Sequence, residues 1–295
     1  MPTHQRNAIN IIYWLSAHKI LATVLALSVF CAVVFFHDPI TVWATAQFHK
    51  IGRDAYNQYA EYSFAALLIL LFATVGWLIR RNRHDLTGMS LLAGHIFLIF
   101  ISYRYLVTFN IEFVHFFAYL LIAFLLLPVC RSMGETVLWT TLLGALDELY
   151  QYLVLNPDYG YYDFNDVLLN LIGAGTGTVI ALLGGNGLML AKPSTERPSM
   201  AIYAAVAIPL LLLAGWKTGW IALDPIVPTD GKPLFTFIRK AQAPGFWTEA
   251  YPGRVFHIVK PIEGTIGVYL FWGAFFGIDR WWSKQREAAF AKGNA

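Results

Sequence analysis

From Ile20 to Phe36 the chain carries no Asp, Glu, Lys or Arg, and the same holds from Tyr62 to Ile79, from Leu86 to Tyr103 and from Val167 to Leu190. A helix needs roughly 20 mostly apolar residues to cross a bilayer. Repeated runs of that length point to a polytopic helical membrane protein. The rest of the composition agrees. Hydrophobic residues make up 57% of the 295 and charged residues 13%, against about 45–50% and about 25% in soluble domains. Those values exclude a disordered chain and argue against an ordinary soluble enzyme. A net charge of +3 is too small to point to nucleic acid. It suits basic loops beside anionic lipid.

The expected fold is all-α, a transmembrane bundle of about eight spans over 13–36, 61–79, 86–106, 111–130, 136–155, 165–184, 200–216 and 263–282. The tight basic clusters, Arg80-Arg81-Arg83 and Arg280 to Lys292, place the N-terminus and the C-terminus on the cytoplasmic side. The loop 156–164 has acids and no Lys or Arg, which suits the outer side. The chain then divides into a three-helix membrane segment (1–107), a three-helix core (108–184) and a two-helix segment (185–295) with a long outer loop, 217–262. Residues 40–58 and the amphipathic run from Leu234 to Ala241 each read as a helix lying on the membrane or as an ordered polar connection. Trp281 and Trp282 beside Arg280 suit an inner interface anchor, and Trp216 and Trp220 an outer one. Cys31 and Cys130 read as buried free thiols.

Ionisable residues inside a span are expensive and point to function. Here they gather in four consecutive helices. The fifth carries Asp147, Glu148 and Gln151 toward its outer end, and Gly144, Glu148 and Gln151 share a face. The sixth carries Asp163, Asp166, Asn170, Gly173 and Gly177 in one stripe at spacings of three and four. Its G-x-x-x-G permits close approach of another helix, and Asp163, Asn165 or Asp166 suits the helix cap. The fourth adds Glu112, His115 and Tyr119, and Arg104 closes the third at the same level. An outward-facing cavity built from these residues is therefore expected. So many carboxylates cannot all ionise cheaply in low dielectric. They suit a general acid or base, a hard divalent cation held through oxygen, or a satisfied network that fixes helix packing. His95, alone at mid-span, reads as packing. His37, His49 and His257 lack metal-ligand spacing.

Asp147-Glu148-Leu149-Tyr150-Gln151, a short loop, then Asp166-Val167-Leu168-Leu169-Asn170-Leu171-Ile172-Gly173 resembles the signature of the VanZ-like integral membrane proteins. Val114-His115-Phe116-Phe117-Ala118-Tyr119 is similar to that family's aromatic helix with His and Tyr. The resemblance covers about residues 108–184. It implies a cell-envelope protein linked with low-level resistance to the glycopeptide teicoplanin. The family usually has an Arg in the loop before the second Asp. Here residues 157–162 contain none, so Arg104 is expected to supply the cation.

The expected function is that of a VanZ-like protein of a bacterial cytoplasmic (inner) membrane. Its acidic cavity binds an amphiphilic or lipid-linked ligand through Asp147, Glu148, Gln151, Asp163, Asp166, Asn170, His115, Tyr119 and Arg104. A non-catalytic subunit of a larger membrane complex is one alternative, and a hydrolase or transferase acting on a lipid head group is another. The sequence leaves open whether the protein is an enzyme. The expected surroundings are the lipid bilayer, with no nucleic acid, no cofactor and no resident metal.

Overall fold

A computed structural model describes residues 11–81, 86–107, 110–130, 132–155, 162–184, 200–222, 235–237, 245–251 and 253–293. Among them the chain forms α1 (Ile11–Ala17), α2 (Lys19–Ile51), α3 (Arg53–Arg81), α4 (Leu86–Tyr105), α5 (Val114–Leu126), α6 (Met133–Tyr150), α7 (Phe164–Gly184), α8 (Met200–Lys217) and α9 (Pro261–Gly293). A 3₁₀ turn, Asn110–Phe113, leads into α5, and one π-helical stretch, Gln151–Leu155, continues α6. A helix stands at every one of the eight expected positions. Six of them, α2, α3, α4, α7, α8 and α9, are long and apolar enough to cross a membrane. The other two fall short for separate reasons. Helix α5 has 13 residues, about 20 Å of helix, and α6 has 18 residues but carries Glu135, Asp147 and Glu148.

The first expected span runs further than its apolar stretch. Helix α2 passes through Pro39 and continues to Ile51. Gly52, at φ 85°, then turns the chain straight into α3. Residues 40–58 are therefore shared between two helices, and do not form a separate connection. The long loop departs from pure helix. Ile221–Ala222 (β1) pairs in parallel with Phe235–Thr236 (β2), and Thr248–Tyr251 (β3) pairs antiparallel with Arg254–Phe256 (β4). So the run from Leu234 to Ala241 is extended where it is described. Phe235 and Phe237, two apart on one strand face, both pack on Tyr162. Residues 238–241 lie outside the described part, as do 156–161 of the expected outer loop and Arg83 of the basic cluster.

Helix α7 is the centre of the bundle. Every residue from Leu169 to Leu183 is buried, the signature of a helix surrounded by protein. Its tightest neighbour is α5. A Cβ on Gly173 would run into the Phe116 carbonyl, and one on Gly177 into the Leu120 carbonyl. The expected close approach at G-x-x-x-G is thus made with α5 backbone. On its other sides α7 meets α6, α4 and α9. Gly175 lies against His95 of α4 and Phe271 of α9. His95 is buried, with Nδ1 2.7 Å from the Leu91 carbonyl and its ring edge-on to Phe271 and Phe275. Helix α2 packs on α5 through Ala22 and Ala26, both fully buried beside Tyr119 and Ile122.

The outward faces of α2, α3, α4 and α8 are apolar, with Phe35, Ile69, Phe100 and Leu211 all exposed. Bilayer lipid is the solvent that such faces require. Cys31 belongs to that exposed surface of α2, and Cys130 is half-buried; both are free thiols. The expectation of two buried thiols fails at Cys31, because α2 presents that side outward. Trp216, Trp220 and Trp281 are also exposed, and the Lys217 ammonium sits 4.8 Å from the Trp216 ring. The side chain of Trp282 lies outside the described part.

Candidate functional site

Three glycine contacts set the level of the polar residues. Phe116 abuts Gly173, so His115, one residue earlier on α5, stands level with Asn170, one turn earlier on α7. A Cβ at Gly144 of α6 would lie 2.8 Å from Asn170. The Asn170 side chain therefore fills the space that glycine leaves. Asp147 and Glu148 follow one turn later on α6. The result is one buried cluster from three helices.

In that cluster His115 Nδ1 lies 3.9 Å from Asp147 Oδ2 and 3.9 Å from Glu148 Oε1, and the three side chains are 4%, 0% and 3% exposed. The Tyr119 hydroxyl donates to Asp147 Oδ2 at 3.1 Å. The Gln151 amide nitrogen donates to Glu148 Oε1 at 3.2 Å. Asp163 and Asp166, both half-buried at the start of α7, lie close enough for their charges to act on Glu148. Asp163 also caps α7, its Oδ1 accepting the Asn165 backbone N–H at 3.0 Å, as a side-chain N-cap should. Tyr162 closes the cluster beside the start of α7, donating to the Ala145 carbonyl at 3.1 Å. Burial, with the charges of Glu148 and Asp147 nearby, pushes its phenol well above the usual range, so it stays a neutral donor.

Four polar atoms here are buried with no hydrogen-bond partner: His115 Nδ1, Asp147 Oδ1, and both the oxygen and the nitrogen of the Asn170 amide. Each such atom costs about 1–3 kcal/mol.

Arg104 is placed elsewhere. It is exposed, its Nη1 donates to the Val255 carbonyl at 3.2 Å, and its guanidinium lies over the Tyr105 ring. Arg254 from β4 is the cation that grips this end of α4. Its Nη2 donates to the carbonyls of Tyr103 and Val107, both at 2.9 Å. A cation at a helix C-terminus satisfies carbonyls that the helix leaves open.

Two further residues stand close by: His37, set aside in the sequence for want of metal-ligand spacing, and Asn165, considered there only as a helix cap. The ring of His37 on α2 sits 5.8 Å from that of His115. Asn165 is nearly fully buried and ties three segments together. Its amide nitrogen donates to the carbonyls of Leu106 and His257 at 2.8 and 2.7 Å, and its oxygen accepts the Val259 N–H at 2.8 Å.

The family model described as VanZ/LLP1 matches residues 21–185, more than half of the chain. The chain belongs to the VanZ/LLP1 family. The match begins at residue 21, far ahead of the 108–184 covered by the polar signature, so α2, α3 and α4 are family structure too. His37, brought against His115, therefore lies inside the family region of this VanZ/LLP1 protein. Helices α8 and α9 and the long loop lie beyond it. No curated protein and no solved structure matches this VanZ/LLP1 chain.

Proposed function

We propose that this VanZ-family membrane protein binds the polar head of an amphiphilic or lipid-linked ligand at the cluster of His115, Asp147, Glu148 and Asn170. The observation that carries this reading is the set of buried, unpartnered polar atoms that three packed helices aim at one another. Atoms left in that state are either a standing cost or a site kept for a ligand. Apolar helix faces beside the cluster suit the tail of the same molecule. Asp163, Asp166 and Gln151 set the local charge and orientation, and Tyr119 holds Asp147. By the family resemblance, the process served is tolerance of a glycopeptide at the envelope of a bacterium, from the cytoplasmic membrane.

The test is purification of the full chain in mild detergent, followed by native mass spectrometry of what remains bound. The expected result is one defined lipid-linked molecule, retained by the wild type and lost from a monodisperse Glu148→Gln protein. Equal retention by both proteins, or only bulk membrane lipid on the wild type, would overturn the reading.

A further inference from the structure

The same helices hold a donor set that goes beyond amphiphile binding. One ligand atom from each of His115, Asp147 and Glu148 lies within 4.8 Å of the others, and all three residues are buried. At 3.9 Å, His115 Nδ1 is too far from either carboxylate for a direct hydrogen bond. It is close to the separation of two donors on one cation, whose ligands lie at about 2.0–2.6 Å from the ion. Independently of the acids, the Asn170 amide is fully buried with neither of its polar atoms partnered, and it packs at Gly144 beside His115.

We infer that α5, α6 and α7 build a divalent-cation site in which His115 Nδ1, an Asp147 oxygen and a Glu148 oxygen bind the ion and Asn170 Oδ1 completes the set. Charge supports it. Two carboxylates balance a 2+ ion, and buried charges persist where they are paired or coordinate metal. Among the described residues, the ion-pair contacts of Asp147 and Glu148 are with His115 alone. The outer partners match as well. Tyr119 holds Asp147 and Gln151 holds Glu148, the kind of support that orients metal ligands. One imidazole with carboxylate and amide oxygens, and no thiolate, selects Mn²⁺ or Zn²⁺ over Ca²⁺ or Mg²⁺, which take all-oxygen sets. The sequence names no resident metal but leaves a hard divalent cation open as one use of these carboxylates. It shares residues with the amphiphile reading but does not depend on it.

The experiment uses the full chain in detergent, stripped by chelator, with no lipid ligand added. Mn²⁺ is titrated and followed by electron paramagnetic resonance, with pulsed measurement of nitrogen coupling. The expected result is one Mn²⁺ per chain, displaced by Zn²⁺, with coupling to one imidazole nitrogen. His115→Gln should remove the nitrogen coupling, and Asp147→Asn should weaken binding at least about tenfold. Absence of stoichiometric Mn²⁺ and Zn²⁺ binding to the wild type overturns the inference, and so does bound Mn²⁺ without nitrogen coupling. An amphiphile retained by a chain that binds no metal would remove this inference and leave the proposed function standing. Stoichiometric metal on a chain that retains no amphiphile would do the reverse.

Discussion

At the scale of single residues, one buried amide joins distant segments of the chain. Asn165 makes three hydrogen bonds from a buried position. Asn165→Ala leaves two carbonyls and one N–H without their partner, so it should cost roughly 2–4 kcal/mol. Thermal unfolding in detergent checks this, with a midpoint several degrees below the wild type. An unchanged midpoint would mean that water replaces the amide. The two arginines give a contrast. Arg104 is exposed and donates to one carbonyl, and exposed substitutions usually stay within about 0.5 kcal/mol. Arg254 is half-buried and closes two carbonyls. Arg104→Ala should therefore be nearly silent in limited proteolysis of the loop, whereas Arg254→Ala should speed cleavage there clearly. Equal effects would place the two arginines in equivalent roles. The sequence could not rank them, because each acts on a carbonyl from a distant stretch of chain.

At the scale of elements, the stripe of Gly173 and Gly177 shows what spacing alone makes legible. Spacings of three and four put His115 and Tyr119 on one face, and Asn170, Gly173 and Gly177 on another, before any partner is known. The polar residues of α5, α6 and α7 were readable for that reason. Their exact neighbours were not, since these depend on which helix fills the glycine groove. The groove is filled by the α5 backbone at Phe116 and Leu120, and backbone cannot rotate aside. Gly173→Ala and Gly177→Ala should each push α5 away from α7 and reduce the yield of monodisperse protein sharply. Gly76→Ala in α3 and Gly277→Ala in α9 meet nothing within 4 Å. Helix propensity then makes them neutral or stabilising by up to about 1 kcal/mol. Size-exclusion profiles of the four variants at equal expression check the contrast. Similar behaviour of both pairs would show that α5 and α7 do not pack through this groove.

At the scale of the molecule, the helices beyond the family region are bound into it. Met133 and Gly134 open α6 with backbone N–H groups that point at Asp279 of α9, bonded at 3.0 and 2.6 Å. Ser132 caps the same end from its own chain, accepting the Glu135 N–H at 3.1 Å. Gly134 has no room for a Cβ because Phe276 of α9 occupies the space, and Gly264 of α9 gives way to Phe164 of α7 in the same manner. At the opposite end, Phe235 and Phe237 of the long loop cover Tyr162, and Asn165 binds His257 and Val259 in the segment that leads into α9. The position of α9, the eighth expected span, was legible from its apolar run, but its role was not. Asp279 looks like an ordinary acid beside Arg280 in the sequence, and its partners lie 145 and 146 residues away. These contacts give the last prediction. Asp279→Ala removes a carboxylate from two buried N–H donors at a helix N-terminus, where negative charge is favoured. Two charge-assisted bonds make the loss about 3 kcal/mol, a large share of the few kcal/mol that hold a fold. A chain ended after residue 217 removes that cap, the packing at Gly134, Gly175 and Gly264, and the cover over Asn165 together. It should fail to give monodisperse protein, while Asp279→Ala should give protein with a lowered unfolding midpoint. If the shortened chain behaved like the full one, α9 would be an appendage, and the buried cluster would owe nothing to the C-terminal part of the chain.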